Sequence, residues 1–249
     1  MTTAVMLLVE AIPAWLEIIR YGPDQLVGRA RIASTPWAKS GLELRVSNAP
    51  TPTVSEVVKG ACLPIVCPER HIQGDATFCL GFPAPKVKNL SDAENWWNLV
   101  WQFLRCQGVA VKTGVWPPAH SLDHGEAGFH HQTAANLAIQ VGLTEEYAAA
   151  RLGEKNWITD PKGRLFGEEG QPINGRLPCP RGCQRKARGR DIPVLRSECK
   201  KWPAMAKIAF HEEQRREKLA EFWQFMISQG FQCCKTMRSC PLNSGQAIA

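Results

Sequence analysis

Leu42, Leu44 and Val46 alternate with Glu43, Arg45 and Ser47, the period-two pattern of a strand with one buried face. A second strand-like run, Gln25 to Ser34, precedes it. Upstream, Leu7, Leu8, Ile12, Trp15, Leu16 and Ile19 fall at helical spacings. They predict an amphipathic helix from about Val5 to Arg20, with Pro13 opening its second half. Asn48-Ala49-Pro50-Thr51-Pro52-Thr53 is turn chemistry, and Leu63 to Cys67 reads as a short buried strand. A Gly74-Asp75 turn then folds His71-Ile72 back against Thr77-Phe78. The first eighty residues thus predict a helix and an antiparallel meander.

The pattern changes beyond Cys79. Ser91-Asp92-Ala93-Glu94 offers a capped helix start, and Trp96, Trp97, Val100, Trp101, Phe103 and Leu104 supply its apolar face. These tryptophans read as core. Trp116-Pro117-Pro118 breaks the chain, Gly125 to Val141 predicts another helix, and Ala204 to Ile227 a long one. Between Gly153 and Pro178 glycine and proline are frequent and periodicity fades, the signature of a linker or irregular connection. The expected class is α+β. The expected organisation is a core over residues 1–152, a connection over 153–178, and a basic, cysteine-rich extension with a long helix over 179–249.

Composition narrows the setting. With 249 residues, 44% hydrophobic and 21% charged, the chain can bury a sizeable core. Glu10, Pro13 and Glu17 interrupt the apolar start and no basic segment precedes it, so neither a signal peptide nor a membrane span is expected. Ten cysteines without a secretory signal point to reduced thiols and a cytoplasmic location. The net charge of +7 gathers after Pro178, in Arg181, Arg185, Lys186, Arg188, Arg190, Arg196, Lys200 and Lys201. Such a face suits phosphate or an acidic protein equally.

Cys79 is the candidate nucleophile. It follows the Gly74-Asp75 turn and stands eight residues after His71. A thiol can take an acyl group as a thioester and pass it to an amine, provided it is exposed and the site offers oxyanion donors. His71, Gln73, the amides after Gly74, and Asp123 and His124 from the later helix start are the available helpers. The local pattern alone reads first as a buried cysteine on a strand.

Cys67-Pro68-Glu69-Arg70-His71-Ile72, with Asp75-x-x-Phe78-Cys79-Leu80-Gly81, Ala93-Glu94-x-Trp96-Trp97, Trp116-Pro117 and His124-Gly125, resembles the bacterial ubiquitin-conjugating-enzyme-like proteins of ubiquitin-like conjugation operons, several of which defend against phage. The resemblance covers roughly Met1 to Leu152. It implies a ubiquitin-conjugating-enzyme-like core and a transferase in which Cys79 carries a ubiquitin-like protein as a thioester. It also implies three partners: an activating enzyme, the ubiquitin-like protein and a target protein. The His-Pro-Asn triplet of the eukaryotic form is replaced by His71-Ile72-Gln73. The asparagine's role is thereby left unassigned.

Two other groups carry chemistry. His120, Asp123, His124, Glu126, His130 and His131 have residue types suited to hydrolytic zinc but lack the His-Glu-x-x-His order. Cys179-Pro180-Arg181-Gly182-Cys183, followed by Cys199, Cys233-Cys234 and Cys240, reads as a closed structural zinc site built from Cys179, Cys183, Cys199 and Cys240. Cys62, Cys67 and Cys106 read as core thiols. No organic cofactor is expected. A zinc-stabilised module binding nucleic acid or protein through Arg181 to Lys201 is the alternative function. Nucleic acid is the weaker choice of partner, because that stretch lacks interleaved aromatic residues.

Overall fold

The computed structural model describes residues 3–160 and 164–243. The chain divides into two compact units, Met1–Ser121 with Met226–Ala249, and Leu122–Phe225.

The first unit opens with α1 (Ala4–Glu10), started by Thr3, whose hydroxyl accepts the Met6 amide. The helix predicted to Arg20 stops there. Pro13 has no amide to continue the ladder, and the chain turns through a Leu16 N–H to Pro13 carbonyl bond of 3.0 Å. Leu16–Tyr21 is instead strand β1, paired antiparallel with β2 (Gln25–Ala30). β3 (Leu42–Ser47) and β4 (Val54–Glu56) complete a four-stranded meander in the order β1-β2-β3-β4. Leu42, Leu44 and Val46 are buried while Glu43 and Arg45 are exposed, as their alternation predicts. The strand expected over Leu63–Cys67 does not form. Pro64 and Pro68 cannot donate ladder hydrogen bonds, and only Cys67 pairs, through an isolated bridge to Ile72.

Helix α2 (Leu90–Thr113) packs on this sheet. Its start is capped by Asn89, whose side chain accepts the Asp92 amide, and Gly114 ends it in the left-handed region at φ 68°. Trp96, Trp97, Val100, Phe103 and Leu104 are buried with Leu8, Leu26, Leu44 and Val54 in one core. Trp97 Nε1 donates to the Leu8 carbonyl at 2.9 Å, and its ring meets Trp15 edge-on at 5.7 Å. Trp101 is only half-buried and carries the Arg105 guanidinium over its face at 4.6 Å. The returning segment joins the same core through Met237 and Cys240.

The second unit contains α3 (Glu126–Val141), α4 (Thr144–Arg151), the hairpin β5 (Gln184–Ala187) and β6 (Arg190–Pro193), and most of α5 (Trp202–Ser228). Ala134 and Ala138 of α3, Tyr147 and Ala150 of α4, and Trp202, Met205, Ala206, Ile208 and Ala209 of α5 share its core. Ile158, Leu165 and Phe166, from the Gly- and Pro-rich stretch, are buried there too. Among the described residues, no helix is long and apolar enough to cross a membrane.

Candidate active site

Two successive tight turns present Cys79. Pro68 opens a single helical turn, Pro68–Arg70, and the His71 amide closes it on the Pro68 carbonyl at 2.7 Å. His71 takes left-handed angles, φ 54° and ψ 36°, and these reverse the chain. Cys67 and Ile72 then exchange both backbone hydrogen bonds, at 3.0 and 3.1 Å. The second turn is fixed by Asp75, whose Oδ1 accepts the Thr77 amide at 2.9 Å and its hydroxyl at 2.6 Å. The hydroxyl hydrogen bond, ahead of burial in strength, holds the Asp75 carboxyl below its usual range. The chain is tied at both ends of Phe78-Cys79. The Phe78 amide donates to Val54 of β4 at 2.8 Å, and the Cys79 amide to His71 at 2.8 Å.

Below the turns, Phe78 stacks on Phe103 at 4.6 Å, and the His71 ring lies against Trp116 at 4.8 Å. Arg70 is fully buried under the turn. Its Nε donates to Gln107 Oε1 at 2.8 Å, Gln107 Nε2 returns to the Arg70 carbonyl at 2.7 Å, and Nη1 reaches the Thr236 hydroxyl at 3.2 Å. This pair bolts the turn to α2, which is how a buried cation is tolerated. Cys79 itself is half-exposed, whereas Cys67 and Cys106 are buried. Cys62, predicted as a core thiol, is exposed instead. The chain leaves the Glu56 edge there, and Glu56 binds the amides of Cys62 and Leu63 at 2.9 and 3.1 Å.

Of the expected helpers, His71 lies in the first unit with Cys79, and Asp123 and His124 lie in the second. Asp123 Oδ2 receives His131 Nδ1 at 2.9 Å and Arg215 Nη1 at 3.2 Å. Burial opposes its ionisation, but the His131 hydrogen bond and the Arg215 charge prevail and hold its pKa at about 2. Arg215 is also gripped by the fully buried Glu212, at 2.7 and 2.8 Å. The His124 ring stacks on Phe222 at 4.9 Å and meets Trp223 edge-on at 5.4 Å. Burial pushes its pKa down to about 4, leaving the imidazole neutral at pH 7. His130 faces His211, Nδ1 to Nδ1, at 2.9 Å.

The cysteines fall into groups that spacing did not announce. Cys179 is buried and hydrogen-bonded with the exposed Cys183, which also feels Cys199. Cys240 belongs to the first unit, beside Cys233, and burial pushes its thiol up to about 12. The expected set Cys179, Cys183, Cys199 and Cys240 is not brought together: among the described residues, no three His, Cys, Asp or Glu side chains gather to hold a metal ion. Cys67 Sγ and Cys234 Sγ lie 2.9 Å apart. The Cys67 hydrogen bond, with help from the Thr236 hydroxyl and the Arg70 charge, lowers the Cys234 thiol to about 5 against the effect of burial, while the Cys67 thiol is raised.

Part of the basic segment is already neutralised. Arg181 pairs with Glu146 at 2.6 Å, Arg185 with Glu198 at 3.0 Å, and Lys186 with Asp191 at 3.1 Å. Arg196 is buried, its guanidinium 5.1 Å from the Trp202 ring centre.

Residues 16–118, which include Cys79 and both turns, match the family model described as the prokaryotic E2 domain. Residues 123–242 match that described as the cysteine-rich domain C-terminal to the E2 domain. Together the two matches support a bacterial E2-like protein. No curated protein and no solved structure matches the chain. The E2-like part carries the four-stranded meander, α2 and the Cys79 turns, and the cysteine-rich part carries α3 to α5 with the Cys179–Cys183 pair.

Proposed function

We propose that Cys79 accepts the carboxy-terminal acyl group of a ubiquitin-like protein from an activating enzyme and transfers it to a target amine. The observation that carries this reading is a half-exposed thiol, backbone-tethered at 2.8 Å to a rigid double turn, within the part of the chain similar to prokaryotic E2 domains. In the first step the Cys79 thiolate attacks the acyl carbon of the donor thioester and expels the donor thiolate. In the second, the amine attacks the Cys79 thioester, loses a proton to solvent or base, and expels the Cys79 thiolate. Because donor and product are both thioesters, the first step is close to isoenergetic. The site's task is therefore positioning and oxyanion binding rather than strong activation.

His71 serves as a positioning residue through its carbonyl, which fixes the Cys79 backbone. Structural zinc in the cysteine-rich part is proposed with the Cys179–Cys183 pair among its ligands. A role in antiphage defence follows from the resemblance to conjugation-operon proteins. The test is reconstitution with an adenylating enzyme and a ubiquitin-like protein. A thiol-labile adduct of the modifier on Cys79 supports the reading, and an adduct mapped to another cysteine removes it.

A further inference from the structure

Cys67 and Cys234 are 167 positions apart in sequence, yet their sulfurs approach to 2.9 Å as free thiols. A disulfide bond is about 2.05 Å long, so roughly 0.9 Å of closure separates the two states. Both ends are held by packed structure. Cys67 is buried at the base of the double turn, doubly hydrogen-bonded to Ile72, and Ile72 bridges to Phe78, the neighbour of Cys79. Cys234 is half-exposed on the returning segment. That segment is anchored by Met237 and Cys240 in the core and by the Arg238 amide on the Gly114 carbonyl at 2.8 Å. The Thr236 hydroxyl lies 3.0 Å from Cys234 Sγ and 3.2 Å from Arg70 Nη1, placing a buried cation beside the pair.

We propose that Cys67 and Cys234 are a reversible redox pair, oxidised by exchange with a small-molecule disulfide, whose bond staples the returning segment to the base of the Cys79 turn. Cys234 is the accessible member and attacks first. Its thiolate breaks the sulfur–sulfur bond of the small disulfide, forms a mixed disulfide and releases one small thiolate. Cys67 then gives up its proton and attacks Cys234 Sγ, releasing the second small thiolate. Two protein thiols are oxidised, one small disulfide is reduced to two thiols, and the two protons pass to those thiols. The arrangement of an accessible, cation-supported thiol with a buried partner in contact is that of an attacking and a resolving cysteine. The inference does not depend on the acyl-transfer reading, since its readout is a cross-link.

The test equilibrates the full chain with graded ratios of reduced and oxidised glutathione, quenches by alkylation, and maps peptides by mass. The expected result is a Cys67–Cys234 cross-link that protects two of the ten thiols and is reversed by dithiothreitol. In Cys67→Ser, glutathione is expected to accumulate on Cys234. In Cys234→Ser the cross-link is expected to vanish. Full alkylation of both residues at ratios that already glutathionylate Cys79 would overturn the proposal. So would a preferred cross-link between other cysteines, or a chelator-releasable metal bound to both. The wild-type map decides even if a serine variant fails to fold.

Discussion

The amide of Cys79 donates to the carbonyl of His71 at 2.8 Å, and His71 can offer that carbonyl only because it sits at φ 54°. The candidate nucleophile is therefore placed by a left-handed residue, a conformation that costs most side chains free energy and β-branched ones most.

His71→Asn keeps a residue that tolerates left-handed angles and removes the imidazole. Adduct formation on Cys79 is expected to stay within about threefold of wild type. His71→Val is expected to lose about 2 kcal/mol of stability in urea unfolding, from backbone strain and loss of the Trp116 contact, and adduct with it. Loss of adduct in a stably folded Asn variant would instead give the ring a chemical role.

Gln107→Leu strips the buried Arg70 guanidinium of its 2.8 Å partner and removes the donor to the Arg70 carbonyl. A loss of about 3 kcal/mol is expected, the usual cost of stranding a buried charge. The double variant Arg70→Met, Gln107→Leu is expected to be more stable than Gln107→Leu alone. A double-mutant cycle by urea denaturation measures the coupling.

Asp123 and His124 titrate in different windows. The folded pKa of His124, about 4, lies below its unfolded value of about 6.5. The unfolded chain therefore binds the extra proton, and stability falls as pH drops from about 6.5 to 4. Asp123 is depressed to about 2. Its contribution is present above about pH 4 and is lost as pH falls toward 2. His124→Phe is expected to reduce the slope of the upper window, to which His211, also pushed down to about 4 by burial, contributes the rest, and Asp123→Asn that of the lower one, in unfolding free energies measured from pH 7 to 2.

The sequence was most legible where a single period ruled. β3 and α2 follow their alternation and their apolar face, and the meander follows from them. The amino-terminal segment misled because Leu16 and Ile19 satisfy a helical spacing while Leu16–Tyr21 also pairs as a strand; the missing amide of Pro13 decided between them. Cys79 is singled out as a candidate only through its neighbours' resemblance to a known family, since Thr77-Phe78-Cys79 alone reads first as a buried strand. The Cys67–Cys234 contact and the Arg70–Gln107 bolt left no local trace. Both are made by tertiary folding across long stretches of chain, which no periodicity encodes.

Zinc content tests the cysteine-rich part. Metal bound by the purified chain is expected to fall in Cys179→Ser and Cys183→Ser and to be unchanged in Cys79→Ser, read by elemental analysis after dialysis. Metal content unchanged in both pair variants would remove the zinc proposal.

The most direct measurement is the adduct on Cys79→Ser after incubation with the activating enzyme, ATP and the ubiquitin-like protein. The account predicts that the thiol-labile adduct of the wild type disappears and that an oxygen ester, stable to thiols and cleaved by base, takes its place. A Cys79→Ser chain that still forms the thiol-labile adduct at the wild-type level would contradict it.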